Sequence, residues 1–236
     1  MWTWQRNLAS ELGVRLPAKQ IYPDLLADQI GEPNLTTHIQ QFLHDQLHRS
    51  DSNSEASADS SSSLPELYEK ITLYTSAVAT FFAPSDISGI GGMHYERIRA
   101  VDTWRNGPGR YDCAFISTDP TAEGMSGFDI AQVRLFFSFK HDGVYYPCAF
   151  VHWFKRVHDS RDENTGMWVV EPETLEDGTR FASVIHLDCI FCAAHLMPVF
   201  GYEFVPTYLS YTQTLNAFRT YYVNKYTDHQ AFEIAW

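Results

Sequence analysis

The pattern of apolar and polar positions changes near residue 70, where a period of two begins. Segments rich in β-branched and aromatic residues then follow one another, bounded by glycine, proline and aspartate, which is typical of β-strands. No helical pattern alternates with them, so antiparallel pairing is favoured over a parallel sheet. The predicted strands lie in ITLYTSAVATFFA, HYERIRAVDTW, YDCAFIST, DIAQVRLFFSFK, VYYPCAFVHWFKRV, GMWVVEP and FASVIHLDCIF.

The clearest pair of strands is LFFSFK and VYYPCAFVHWF, which are separated by His141, Asp142 and Gly143. Asp-Gly is a common turn sequence because both residues tolerate positive φ. We therefore predict a long hairpin that turns at Asp142-Gly143.

Helical spacing is confined to the two ends of the chain. LTTHIQQFLHDQLH and the shorter DLLADQI predict helices before residue 50, so residues 1–49 are expected to form a helical arm. Leu215, Phe218 and Tyr222 have helical spacing and predict a closing helix near the C-terminus.

The Ser50 to Ser63 segment, SDSNSEASADSSSS, contains no large apolar residue and is predicted to be a disordered linker. Residues 64–236 are then expected to form one domain. Its many short strands favour a mainly β fold with flanking helices, organised as a Greek-key or SH3-like antiparallel barrel.

Composition restricts the function classes. The 44% of hydrophobic residues indicates a globular protein, and 29 acidic against 17 basic residues give a formal charge of -12, which disfavours generic nucleic-acid binding. No window reaches the roughly 18 apolar residues of a membrane span, and the N-terminal sequence lacks the order of a signal peptide. We expect an intracellular protein without a membrane partner, whose four cysteines stay free thiols.

Catalytic and metal-binding constellations are not supported by their spacing. His186, Cys189, Cys192 and His195 would spread over about 13 Å on one helix and would alternate faces on a strand, so no metal and no cofactor are expected. No local signature pairs a cysteine with an activating histidine, although a Cys/His hydrolase is kept as the least favoured alternative. The carboxylates between Asp162 and Asp177 lie in a polar stretch that is typical of a solvated loop.

Two groups of residues are candidates for binding. Rings on and after the hairpin could enclose a methylated ammonium by cation–π attraction, although core packing also explains them. Arginines in HYERIRAVDTWRNGPGR could grip phosphates, although Glu96 and Asp102 interrupt them and structural ion pairs are the alternative. The aromatic candidates are Tyr145, Tyr146, Trp153, Phe154 and Trp168, and the arginine candidates are Arg97, Arg99, Arg105 and Arg110.

Several segments resemble a known family in the same order. They are AVATFFAPSDISGIGGMHYERIRAVDTWRNGPGRYDCAFI, AQVRLFFSF, YPCAFVHWF, GMWVVEPE, IHLDCIFCAAHLMPVFG and AFRTYYVNKYTDHQAFEIA. Over approximately residues 70 to 236 the chain resembles the C-terminal region of transposases from fungal Plavaka-type, CACTA-like transposons. In that family the RNase H-like nuclease lies upstream, so the resemblance implies a non-catalytic, nuclear module.

A looser resemblance is to bromo-adjacent-homology (BAH) domains, which are chromatin-associated β-barrels. It rests on Val151-His152-Trp153-Phe154 and on Glu171-Pro172-Glu173. It implies a BAH-like barrel with an aromatic cage, but Lys155 stands where such a cage often has a second aromatic residue. The leading hypothesis is a module that binds a protein partner such as a histone tail, and the alternative is a DNA-contacting accessory domain.

Overall fold

The computed structural model describes residues 9–12, 15–49, 64–67, 69–83, 91–201, 204–205, 207–210 and 213–236. The predicted linker from Ser50 to Ser63 lies outside these residues. The helices of the described part are α1 (Pro23–Ile30), α2 (Leu35–Arg49), α3 (Thr214–Ala217) and α4 (His229–Ile234).

Antiparallel strands are the main elements of the described chain, as predicted. They are β1 (Ala9–Leu12), β2 (Arg15–Ile21), β3 (Ile71–Tyr74), β4 (Ser76–Phe82), β5 (Met93–Val101), β6 (Arg110–Tyr111), β7 (Cys113–Ser117), β8 (Phe128–His141), β9 (Val144–Arg156), β10 (Trp168–Pro172), β11 (Ala182–His186), β12 (Ile190–Ala194), β13 (Leu196–Pro198) and β14 (Tyr221–Val223). Single 3-10 turns lie at Gly124–Gly127 and Leu187–Cys189.

The predicted hairpin is confirmed and is the longest feature of the fold. β8 pairs with β9 from Ile130↔Phe154 to His141↔Val144. Asp142 and Gly143 have φ values of 49° and 80°, so both turn residues are in the left-handed region that a two-residue hairpin of this twist requires.

The hairpin is buried on both faces, which explains its continuous run of apolar residues. Phe136, Ala149 and Val151 belong to the core between two sheets. Phe137, Cys148 and Phe150 point the other way, into a second core that also contains Leu35 and Ile39 of α2 and Leu26 of α1. Three layers result: a small sheet, a large sheet and the pair of helices.

The small sheet has the order β1-β4-β5-β6. The large sheet has the order β12-β7-β8-β9-β10-β14-β13, with β3 also on β8, β2 on β3 and β11 on β9. In the described part of the chain the end strands β12 and β13 each have one neighbour, so no closed barrel forms. The closed SH3-like or BAH-like barrel that was predicted is therefore not found. The hairpin of β8 and β9 is buried on both faces, so the small sheet covers one face and the helices cover the other.

Both ends of the chain differ from the prediction. Helices α1 and α2 are confirmed, but residues 9–12 and 15–21, which fell within the predicted helical arm, form β1 and β2 and pair with β4 and β3. Near the C-terminus only the four-residue α3 is helical where the closing helix was predicted. Tyr221 and Val223 are both buried and pair with β10 and β13, so a period of two overrides the helical spacing there.

Candidate functional site

Strand β5 separates two kinds of chemistry by its alternation. Ile98 and Ala100 are buried in the core between the sheets, and Glu96 points to the same inner side, where it accepts a hydrogen bond from the Ala193 N–H of β12 at 2.8 Å. The alternate residues, including Arg97 and Arg99, point outward. We call the second side the outer face of the small sheet.

Three of the four candidate arginines gather around one indole ring. The guanidinium carbons of Arg99, Arg105 and Arg110 lie 4.6, 5.4 and 5.6 Å from the ring centroid of Trp104. Arg97 is two residues before Arg99 on the same face of β5, and its main-chain oxygen accepts from Arg99 Nη1 at 3.4 Å. We call Arg97, Arg99, Arg105, Arg110 and Trp104 the arginine cluster.

The turn between β5 and β6 holds the arginine cluster together. The Gly107 N–H donates to the Trp104 carbonyl at 2.9 Å, and the Trp104 N–H donates to the Pro108 carbonyl at 3.2 Å. Arg105 and Asn106 have φ values of 51° and 61°, an uncommon backbone conformation for residues other than glycine. This tight turn brings Arg105 and Arg110 to the same ring as Arg99.

Only one of the four guanidiniums in the arginine cluster forms an ion pair with a carboxylate of the described residues. Asp112 accepts from Arg110 Nε at 2.7 Å and from Arg110 Nη2 at 3.3 Å. Arg97 instead donates to the Ser76 hydroxyl at 3.1 Å. The sequence left open whether the arginines are neutralised, and three of them form no ion pair with a carboxylate among the described side chains.

The two acidic residues that interrupt the arginines in sequence make their contacts elsewhere. Glu96 points inward, and the Asp102 carboxylate accepts from the Tyr111 hydroxyl at 2.6 Å. Burial, followed by the charges of Arg110, Arg97 and Arg105, lowers the pKa of Arg99, while Asp112 opposes the shift. Like charges are thus crowded around Arg99, and a bound anion would relieve this crowding.

The predicted aromatic candidates do not form one rim. Tyr145 and Trp153 pair with Lys140 and Ala131, so they are eight residues apart along β9, which is about 26 Å at the usual strand rise. Tyr146 packs against Phe42 and Phe139, with ring centroids 6.2 and 5.2 Å away. These contacts place Tyr146 under helix α2.

The other aromatic candidates are also engaged in packing. Phe154 is 3% exposed, and Trp153 Nε1 donates to the Ser183 hydroxyl at 2.8 Å. Trp168 is half-buried, with the Arg156 guanidinium 5.8 Å from its ring. Of the five predicted rings, Tyr145 is 49% exposed at the turn end of β9, whereas Tyr146 and Phe154 pack inward and Trp153 and Trp168 are half-buried.

The cysteines are placed as packing residues. Cys113, Cys148 and Cys192 are buried, and burial raises the pKa of the Cys113 thiol to about 12 and raises the pKa of the other two thiols. Such thiols are poor nucleophiles at neutral pH. In the described ranges no three residues of the His, Cys, Asp and Glu types are arranged to hold a metal ion, and His195 lies beside the Asn224 amide at 3.1 Å.

Two cavities flank the small sheet and were not predicted. One of about 320 Å³ is lined by His94, Glu96, Asp228, His229 and Gln230, together with Phe81 and Ala83. Burial, with the nearby charges of Asp228 and Asp112, raises the pKa of Glu96, and the hydrogen bond from Ala193 opposes this only in part. The other, of about 530 Å³, contains Arg134, whose guanidinium lies 4.1 Å from the Tyr111 ring centroid.

Sequence reasoning missed Trp104 and the exposed ring of Tyr95. A signal for both was present, since Tyr95, Arg97 and Arg99 alternate in one predicted strand and Trp104 lies between Arg99 and Arg105. The central role of Trp104 depends on the turn geometry, which residue spacing alone does not give.

The chain matches no protein-family model, no curated protein and no solved structure. Within the described ranges, none of the helices has the length and apolar character needed to cross a membrane.

Proposed function

We propose that this chain is a non-catalytic nucleic-acid-binding module that contacts phosphates through the arginine cluster. The observation that carries the proposal is the gathering of Arg99, Arg105 and Arg110 within 5.6 Å of one indole ring, with one carboxylate partner among them. Guanidinium groups bind phosphate oxygens bidentately, and clustering them concentrates positive potential on one surface. A nuclear location and a transposase-derived origin are parts of the same proposal and are motivated by the Plavaka-type resemblance.

The net charge of -12 limits but does not exclude such binding. Surface charges further away than the Debye length, about 10 Å at 0.1 M salt, are largely screened, whereas arginines in contact with phosphates are not. The proposal therefore requires affinity that falls steeply with salt, because phosphate contacts release counterions.

A binding assay on the whole chain tests the proposal. Fluorescence anisotropy of labelled oligonucleotides is expected to show binding at 50 mM salt, and the Arg97→Ala/Arg99→Ala double variant is expected to lose affinity by about tenfold or more. The matched control is Arg156→Ala, because Arg156 also lies near a tryptophan but is on the large sheet and is 3.5 Å from Asp129. If neither single strands nor duplexes bind at low salt, the proposal fails.

A second candidate is the binding of a basic peptide such as a histone tail. Exposed carboxylates in the loops that flank β10, including Glu163, Glu176 and Asp177, support it through charge complementarity. It ranks second because the expected rings lie far apart along β9 and because Tyr146 and Phe154 pack inward. A labelled histone-tail peptide in the same anisotropy assay distinguishes the two candidates. The second candidate requires that the peptide binds and that Trp153→Ala and Trp168→Ala variants, if they remain folded, bind it more weakly.

A further inference from the structure

The outer face of the small sheet carries exposed aromatic rings beside the arginines. Thr80↔Tyr95 and Val78↔Arg97 are directly opposite pairs of β4 and β5, so these side chains share one face. Tyr95 is 68% exposed, and Phe82, which pairs with Met93 at the next position on that face, is 45% exposed.

These rings are not needed for the core. The inner face of β4 fills the space between the sheets with Ala77, Ala79 and Phe81, each of which is buried. Phe82 and Tyr95 point the other way, where their apolar surface lies in contact with solvent. Exposed aromatic surface next to unpaired arginines indicates a binding function rather than packing.

The Phe82 ring is held against the start of β5. A Cβ atom at Gly92 would lie 2.6 Å from Cε2 of Phe82, so only glycine allows this close approach of ring and backbone. Gly92 also has φ of 78°, and its carbonyl accepts from the Ala83 N–H at 2.7 Å. The ring therefore lies against the backbone of Gly92 at one end of the outer face.

Aromatic and cationic groups alternate along this face. Tyr95, Arg97 and Arg99 are successive outward residues of β5, spaced about 6.6 Å apart at the usual strand rise. Single-stranded nucleic acids present bases that stack on aromatic rings and phosphates that bind arginines, whereas a duplex keeps its bases stacked inside.

We infer that the outer face of the small sheet binds single-stranded nucleic acid in preference to duplex, with bases stacked on Tyr95 and Phe82 and phosphates bound to Arg97 and Arg99. The inference rests on the proposed function, since it names the form of nucleic acid that the same surface takes. The arginines supply charge complementarity, and the two rings supply the selectivity for unpaired bases.

The test compares one labelled sequence as a single strand and as a duplex, at the same salt concentration. The single strand is expected to bind more tightly, and Tyr95→Ala is expected to weaken single-strand binding about fivefold or more while duplex binding changes little. Tyr95→Phe keeps the ring and should retain affinity. Tyr208→Ala is the matched control, because Tyr208 is exposed but lies outside the small sheet.

The outcomes separate the inference from the proposed function. Equal binding of single strand and duplex, or unchanged single-strand binding by Tyr95→Ala, overturns the inference and leaves phosphate binding by the arginine cluster intact. Binding of neither form removes both. Oligo-dT and oligo-U arms distinguish DNA from RNA, and a Phe82→Ala variant whose thermal unfolding matches wild type provides the second measurement on the stacking surface.

Discussion

Releasing Arg110 from Asp112 is expected to strengthen nucleic-acid binding, which is a sharper test than removing an arginine. Asp112 accepts from Arg110 through both carboxylate oxygens and from the Arg99 main-chain N–H at 2.9 Å. In Asp112→Asn, one oxygen remains to accept from the Arg99 N–H. The new amide NH₂ group then faces Arg110 Nε, a donor against a donor, so the shorter of the two hydrogen bonds and the attraction between opposite charges are lost. Only the longer bond from Arg110 Nη2, at 3.3 Å, can remain, and the guanidinium can turn towards a phosphate.

The size of the effect follows from the number of unpaired guanidiniums. Among the described residues, three guanidiniums of the wild-type cluster have no carboxylate partner, those of Arg97, Arg99 and Arg105. Each phosphate contact to a single strand contributes about -0.7 to the slope of log K against log salt. The expected slope is about -2 for the wild type and about -3 for Asp112→Asn. We take the added contact between Arg110 and a phosphate to contribute nothing to affinity at 1 M salt. Asp112→Asn should then bind more tightly than the wild type by about eightfold at 50 mM salt and about threefold at 200 mM salt.

Anisotropy titrations of labelled oligo-dT at several salt concentrations measure both the affinity and the slope. Asp129→Asn is the matched control, since it releases Arg156 from a comparable pair on the large sheet and removes the same formal charge. Thermal unfolding of both variants checks that the fold is retained.

Two results would refute the reasoning. If Asp112→Asn and Asp129→Asn raise affinity equally, the gain comes from net charge and not from the arginine cluster. If Asp112→Asn leaves the slope unchanged while the protein remains folded, Arg110 does not reach a phosphate.

Two further predictions concern stability and accessibility. Because the pKa of Glu96 is raised in the folded state, its contribution to the free energy of unfolding is present below the ordinary carboxyl pKa and is lost as pH rises through the folded value. Across that pH window, the urea midpoint of the wild type should therefore fall relative to that of Glu96→Gln. Parallel curves of midpoint against pH would contradict this. Glu96→Ala leaves the Ala193 N–H without its acceptor and should cost about 1–3 kcal/mol relative to Glu96→Gln. Lys225 is 2% exposed, and its Nζ lies 4.5, 5.3 and 5.4 Å from the ring centroids of Trp236, Tyr226 and Phe232. Acetylation followed by mass spectrometry should therefore modify Lys225 more slowly than the exposed Lys155, and Trp236→Ala should narrow the difference. Equal rates in the wild type would show that the rings do not shield Lys225.

The local elements could be predicted because the sequence specifies them locally. The Asp142-Gly143 turn is determined by two residues that tolerate positive φ, and α2 by the spacing of Leu35, Ile39 and Leu43. The same local reasoning failed near the C-terminus, where Phe218 and Tyr222 have helical spacing by coincidence. There Tyr221 and Val223 are buried as neighbours in a strand, and pairing with β10 decides the structure.

The layered arrangement could not be predicted from spacing. A run such as LFFSF indicates burial on both sides, but it does not say whether a second sheet or a helix covers each face. Here Phe136 meets the small sheet, while Phe137 meets the core under the helices. The same property limits what the aromatic pattern of β9 can predict, because rings that fill a core, such as Phe154, alternate along the strand with an exposed ring, Tyr145.

The arginine cluster shows why the net charge of this chain is a poor guide to the charge of one of its faces. In β5 a strand period of two sends Glu96 to the inner side, where it contacts Ala193, and sends Arg97 and Arg99 to the outer face. A charge sum over the segment adds these groups as if they were neighbours, although they lie on opposite sides of a sheet. A phosphate at the outer face would meet the local set, in which three arginines have no ion pair with a described carboxylate and one is paired with Asp112. An acidic protein can therefore present a cationic surface, and its remaining carboxylates affect mainly how strongly approach depends on salt.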